Sequence, residues 1–210
     1  MKLSLVLGAF VALLGGALAP PARAASAPAI FYGALACTVR PAGDSTAGQR
    51  WCQGDGLPKN ISTIPSFDGT PIDVAVSFPP APTTGPDGHF PVVAVFHGYG
   101  GSKILGSDVN YAQRFLKMGY AVFSITDRGF GGSCGPAIPD PKPASCAKGY
   151  VHMVDSAYEV RDVQRLLGVL ADEGDIDPNR VGAYGESYGG GQSMQVATLN
   201  DRTVLTDGTT

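Results

Sequence analysis

Val181-Gly182-Ala183-Tyr184-Gly185-Glu186-Ser187-Tyr188-Gly189-Gly190-Gly191-Gln192 is the stretch that decides the fold. Its first four residues read as a short strand, and the residues through Val196 read as the start of a helix. A Gly-x-Ser-x-Gly segment between a strand and a helix holds its serine on a sharp, strained turn, and the flanking glycines remove side chains that would clash there. The hydroxyl then stands clear of the sheet, and the positive end of the following helix favours developing negative charge. Ser187 is the candidate nucleophile. The competing reading, a glycine-rich turn with an idle serine, is set aside because of the strand-turn-helix context.

The same alternation extends upstream. Val92 to Phe96 is a continuous apolar run, the pattern of a strand covered on both faces, and Ala121 to Thr126 is another. Between them Ser107 or Asp108 can cap a helix presenting Tyr111, Ala112, Phe115 and Leu116 on one face, closed by Gly119. Ser156-Ala157-Tyr158-Glu159 has the form of a capping box. It opens a second helix with Val160, Val163, Leu166, Leu167 and Leu170 on one side, ending near Gly174. Asp177-Pro178 then turns the chain into the strand before Ser187. Ile64–Phe67 and Ile72–Phe78 flank Asp68-Gly69, a hairpin signal, and the alternation of Ile72, Val74, Val76 and Phe78 predicts one buried face. The fold class expected is α/β, a mostly parallel sheet preceded by an antiparallel hairpin.

The N-terminus reads as a processing segment. Met1-Lys2 precedes an apolar stretch through Ala19, and Ala22-Arg23-Ala24 offers an A-x-A cleavage site, so residues 1–24 are expected to be a signal peptide. No membrane span is expected after its removal, and the mature protein is expected to be secreted, periplasmic or in the cell envelope. The four cysteines, Cys37, Cys52, Cys134 and Cys146, fit an oxidising compartment. Three pairings are possible. The local ones, Cys37 with Cys52 and Cys134 with Cys146, are preferred because each closes a short loop rich in Gly, Pro and polar residues. A zinc site is disfavoured by the lack of C-x-x-C or neighbouring Cys/His spacing. Residues 25–63 read as an irregular, disulfide-stapled extension, with an N-glycosylation pattern at Asn60-Ile61-Ser62, and 64–210 as the catalytic-type domain.

Composition narrows the partners. With 44% hydrophobic residues and a net charge of −3, the chain can bury a core and carries no basic footprint for nucleic acid. Gly98 to Lys103 lacks the P-loop spacing and Gly129 to Gly135 does not fit G-x-G-x-x-G, so nucleotide binding is not expected. No motif implies a cofactor or metal, and none specifies an oligomeric state.

Taken in order, several segments resemble one family. They are His97-Gly98-Tyr99-Gly100-Gly101 after the Val92 strand, Asp127-Arg128-Gly129-Phe130-Gly131-Gly132-Ser133 after the Ala121 strand, the Ser156 helix and the Ser187 turn. Over about residues 64–200 the chain is similar to α/β-hydrolases, and most to the Xaa-Pro dipeptidyl-peptidase and cocaine-esterase-like group of serine hydrolases. The resemblance implies hydrolysis of a small-molecule acyl ester or a peptide through an acyl-enzyme on Ser187. One oxyanion donor should be the backbone N–H of Tyr188, the residue after the nucleophile. The second should come from the loop after the Val92 strand. In cocaine-esterase-like members a tyrosine hydroxyl from this loop serves, so Tyr99 resembles that role, with a backbone N–H of Gly98 or Tyr99 as the alternative.

The acid and base of such a triad follow the serine in the chain. Between Ser187 and Thr210 there are Asp201 and Asp207 but no histidine. The expectation is a piece of a longer hydrolase, inactive by itself. The other reading is a catalytically silent hydrolase-fold protein that binds a ligand or partner at the cell surface. His97 is expected to orient the oxyanion loop, and His89 and His152 to be solvated. Asp127 and Arg128 are expected to form an ion pair bracing their loop, and Glu186 is given no role.

Overall fold

Residues 29–54, 61–84 and 87–199 are described by the structure, a computed structural model. The expected leader at 1–24, Asn60, Asp201 and Asp207 lie outside them.

The sheet is built around β7, Phe90–Phe96, whose residues from Val92 onward are buried. Continuous apolar sequence suits β7 to the interior of the sheet, where both faces are covered and each strand edge finds a partner. β8, Ala121–Thr126, lies parallel on one side, and β9, Ile176–Gly185, lies parallel on the other. Beyond β8 the sheet turns antiparallel. β6, Pro71–Phe78, pairs with β8, while β5, Thr63–Pro65, and β4, Arg50–Gln53, pair with β6. β3, Thr38–Val39, pairs with β4, giving the order β3-β4-β6-β8-β7-β9 with β5 joined to β6. β1, Ala29–Ile30, and β2, Leu35–Ala36, form a separate hairpin. The 25–63 segment, expected to be irregular, thus supplies strands to the main sheet. Its pattern is too short to show a period, and the pairing is set by the neighbouring β6 edge and by the Cys37–Cys52 bond across β3 and β4.

One expectation about β6 is corrected. The alternation predicted a single buried face, yet Asp73, Ala75 and Ser77 are as buried as Ile72, Val74 and Val76. The loop after β7 folds back over the polar face. Lys103 Nζ lies 2.6 Å from Asp73 Oδ1 and donates to the Val74 carbonyl, and Gly106 sits so close to Ser77 and Trp51 that a Cβ would overlap them. The polar residues are buried because they are paired.

The helices cover the parallel half. α1, Ala112–Leu116, follows a turn in which Asp108 Oδ1 accepts the N–H groups of Asn110 and Tyr111, and Gly119 leaves it at φ +85°. α2, Glu159–Asp172, presents Val160, Val163, Leu166, Leu167 and Leu170 fully buried, as its spacing predicts. Its entry differs from the expected capping box. Glu159 does not reach back to Ser156 but accepts the N–H groups of His152 and Asp155. Its buried carboxylate therefore ties down the loop before the helix. The chain leaves α2 through Gly174 at φ +77° and enters β9 with a bulge. Ile176 pairs with Phe90 and Val181 with Val92, leaving Asp177–Arg180 outside the ladder. α3, Tyr188–Thr198, closes the described chain against β9 and β7. The cysteines pair as Cys37–Cys52 and Cys134–Cys146.

Candidate active site

Ser187 sits between β9 and α3 at φ 54°, ψ −119°, a conformation that non-glycine residues avoid, and it is exposed. The two flanking glycines allow it. A Cβ on Gly185 would fall 2.5 Å from the carbonyl carbon of Gly189, and a Cβ on Gly189 would overlap the carbonyl oxygens of Phe96 and His97. The turn is pressed against the end of β7, so the strain is held by close packing on both sides. The helix begins at the next residue, with the Gly191 N–H donating to the Ser187 carbonyl, and the Tyr188 N–H lies in the first turn, where helix N–H groups are free.

The loop after β7 faces this turn. Gly98 approaches so closely that its Cβ position is 4.0 Å from Ser187 Cβ, and Gly101 N–H donates to the Gly98 carbonyl. Tyr99 is 65% exposed, and its ring stands edge-on to Phe130 at 5.0 Å and to Tyr188 at 5.8 Å. The three residues expected to act, Ser187, Tyr188 and Tyr99, are therefore brought to one place. Tyr188 is itself buried. Its hydroxyl donates to Glu159 Oε1 at 3.1 Å and accepts the Val154 N–H, and burial with the nearby Glu159 charge keeps its proton on well above the usual tyrosine range. A cleft of about 320 Å³ opens beside Ser187, bounded by Phe96, Gly98, Ile104, Tyr111 and Glu186 among others. Glu186, given no role from sequence, lines it and accepts from the Tyr111 hydroxyl at 3.3 Å.

His97 is a spacer, not a base. Its Nδ1 donates to the Gly98 carbonyl at 2.7 Å, and its Nε2 accepts the Asp127 N–H at 3.0 Å, so both ring nitrogens are committed to backbone. Burial lowers its affinity for a second proton. His89 is exposed, and His152 is half-buried, stacked between the Tyr150 and Tyr158 rings at 4.0 and 3.7 Å. Among the described residues, no histidine is hydrogen-bonded to Ser187.

The expected Asp127–Arg128 ion pair is also corrected. Arg128 turns away from its neighbour and is gripped by two other carboxylates. Nε and Nη2 reach Asp162 at 2.6 Å each, and Nη1 and Nη2 reach Asp68 at 2.8 and 3.0 Å. It is fully buried, and it links the hairpin turn, the loop after β8 and α2. Asp127 points the other way, where Oδ1 accepts from Gln192 Nε2 at 2.8 Å. Sequence spacing could not separate the two, because adjacent residues on an irregular loop have no fixed relative direction. Gln192 was missed because its partner Asp127 is distant in the chain, and Glu159, read from sequence only as a capping-box residue, also accepts from the distant Tyr188 hydroxyl.

With this geometry in place, comparison with known proteins identifies the group. A family model for the X-Pro dipeptidyl-peptidase (S15 family) matches residues 68–206, most of the chain, including both candidate oxyanion segments and the Ser187 turn. The chain belongs to that family. Among solved structures, an acetyl xylan esterase from Paenibacillus sp. R4 is 23% identical, with a TM-score of 0.50 over 81% of this chain and 50% of that one. A puromycin hydrolase is 25% identical, with a TM-score of 0.52 over 68% of this chain and 20% of that one. The fold of this S15 member is the α/β-hydrolase fold. A curated relative, the quorum-quenching protein AidA of Acinetobacter baumannii (strain MDR-ZJ06), is 29% identical over 112 residues. That stretch is 53% of this chain and 32% of AidA, so the chain spans about a third of this relative's length.

Proposed function

We propose that this chain carries the nucleophile and oxyanion hole of an exported serine hydrolase that cleaves an acyl ester or a peptide bond, as an Xaa-Pro dipeptidyl-peptidase does. The observation that carries the reading is the exposed Ser187 at φ 54°, held by the close approach of Gly185 and Gly189 at the start of α3. Membership of the S15 family supports it.

In this mechanism Ser187 Oγ attacks the scissile carbonyl carbon while a general base takes its proton. The carbonyl oxygen becomes an oxyanion held by the Tyr188 N–H and by Tyr99, through its hydroxyl or its backbone. Collapse breaks the carbonyl bond to the leaving group, which receives the proton from the protonated base, and Ser187 is left acylated. Water, deprotonated by the same base, then releases the acid and regenerates the hydroxyl. His97 is committed to backbone by its two hydrogen bonds and no other histidine among the described residues bonds Ser187, so we assign the base and its acid partner to residues outside those described.

The test is fluorophosphonate labelling of the native protein, with peptide mapping and an intact mass. The expected result is one adduct on the peptide containing Ser187, none in Ser187→Ala, and a mass above that of residues 25–210. A second reading, a silent hydrolase-fold binding protein, is favoured by the absence of a histidine bonded to Ser187 among the described residues. Native protein that neither labels nor turns over any ester or peptide would establish it.

A further inference from the structure

Two buried oxygens near the Ser187 turn have no hydrogen-bond partner among the described residues, and both belong to the same side-chain pair. They are Asp127 Oδ2 and Gln192 Oε1. Both residues are fully buried, and their other polar atoms are already bonded to each other, Gln192 Nε2 donating to Asp127 Oδ1 at 2.8 Å. An ionised carboxylate can only accept, so it leaves Oε1 without a donor. A carboxylic acid would satisfy both atoms at once, since the amide already faces the carboxyl group through its Nε2. A proton on Oδ2 donated to Oε1 would add a second hydrogen bond to the observed one and close acid and amide into a ring.

The surroundings point the same way. Oδ2 also lies 3.5 Å from His97 Nε2. That nitrogen accepts the Asp127 N–H, so it presents a lone pair rather than a proton to the carboxyl group. The groups facing Asp127 are His97 at the end of β7, Glu159 and Asp162 on α2, and Gln192 and Tyr188 on α3. None supplies a positive charge, and Arg128 is spent on Asp68 and Asp162. Burial, with the Glu159 and Asp162 charges behind it, holds the proton on Asp127 well above the usual carboxylate range.

We propose that Asp127 is a neutral acid paired with Gln192, and that the pair positions the oxyanion loop against the nucleophile helix. The connection is short. Gln192 is one turn into α3 from Ser187, and Asp127 through its own N–H fixes His97, whose Nδ1–H fixes the Gly98 carbonyl beside Ser187. Asp127 touches no reacting atom, so it is a positioning residue. The proposal rests on Ser187 being the nucleophile only for its kinetic consequence. The protonation of Asp127 is a separate claim.

The test uses the complete native protein. The infrared difference spectrum between wild type and Asp127→Asn at pH 7 should show the C=O band of a buried, protonated carboxylic acid. A carboxylate band in its place overturns the proposal, whichever residue is the nucleophile. Asparagine can make the same ring through its own amide, so Asp127→Asn should keep kcat within about threefold of wild type. Gln192→Leu, which breaks the ring, should lower kcat by about 10- to 100-fold with KM little changed. Gln192→Leu with wild-type kcat, or Asp127→Asn as impaired as Asp127→Ala at equal melting temperature, overturns the positioning role. Ser187→Ala run in parallel reports on the nucleophile by itself.

Discussion

Ser187 is where the energetic cost of the site is concentrated, and the packing around it says how that cost is met. The Gly185 and Gly189 positions have no room for even a methyl group. Gly189→Ala should therefore destabilise the protein by about 2–4 kcal/mol and remove activity, because the overlapping atoms are backbone and cannot swing aside. Thermal unfolding with a turnover assay checks this, and a variant of wild-type Tm would show that the turn has slack. Tyr99 offers a sharper distinction. If its hydroxyl donates to the oxyanion, Tyr99→Phe should lower kcat about 10- to 1000-fold with little change in KM, a loss of up to about 4 kcal/mol. Unchanged kcat would assign the donation to backbone N–H groups and leave the ring its contacts with Phe130 and Tyr188.

Another residue-scale effect is set by charge. Burial, with Glu173 and Asp87 nearby and Arg50 in partial opposition, pushes Asp175 up to about 6. The folded state then holds this proton more tightly than the unfolded chain, so its contribution is full below about pH 4 and is lost as pH rises through 6. Asp175→Asn should stabilise the protein at pH 8 by about 1 kcal/mol, the full shift being discounted for partial exposure, and by nothing near pH 4. Urea unfolding at the two pH values reads the difference, and equal effects at both would refute it.

At the scale of elements, the parts around the site are wired by buried polar groups as much as by apolar packing. Arg128 joins the turn between β5 and β6 to α2 through Asp68 and Asp162, and Ser66 adds a hydrogen bond to Asp162. Arg128→Met should cost about 3–5 kcal/mol, since it strands two carboxylates, one of them fully buried. Arg128→Lys should recover little, because an ammonium cannot make both forked contacts. Chemical unfolding of the three proteins checks the order, and lysine at wild-type stability would mean that charge alone suffices. Glu159 plays a comparable part, since one carboxylate holds His152, Asp155 and the Tyr188 hydroxyl. The elements themselves were largely legible in the chain. The apolar runs of β7 and β8 and the spacing of Val160 to Leu170 reflect burial on two faces or on one, which is a local periodicity. The errors arose where burial came from a distant segment. The loop from Lys103 to Gly106 covers the polar face of β6, and Arg128 is claimed by Asp68 and Asp162 rather than by its neighbour.

Over the whole molecule, the parallel half carries the site and ends in β9, which among the described residues is bonded on one side only, to β7. A strand with one free edge is a template for association. Residues 25–210 produced alone should aggregate or lack a cooperative melt, and a soluble monomer with a sharp transition in light scattering and calorimetry would refute this. The sequence by itself determined the α/β order of elements and placed the nucleophile candidate at Ser187, because strand and helix periods and the glycines of a tight turn are written in neighbouring residues. Only the tertiary structure decided that His97 is spent on backbone, that Arg128 and the adjacent Asp127 face opposite partners, and that Gln192 donates to the buried Asp127 carboxyl group. Those outcomes depend on which groups meet across the fold once water is excluded, and a buried polar group is defined by its partners, wherever they lie in the chain.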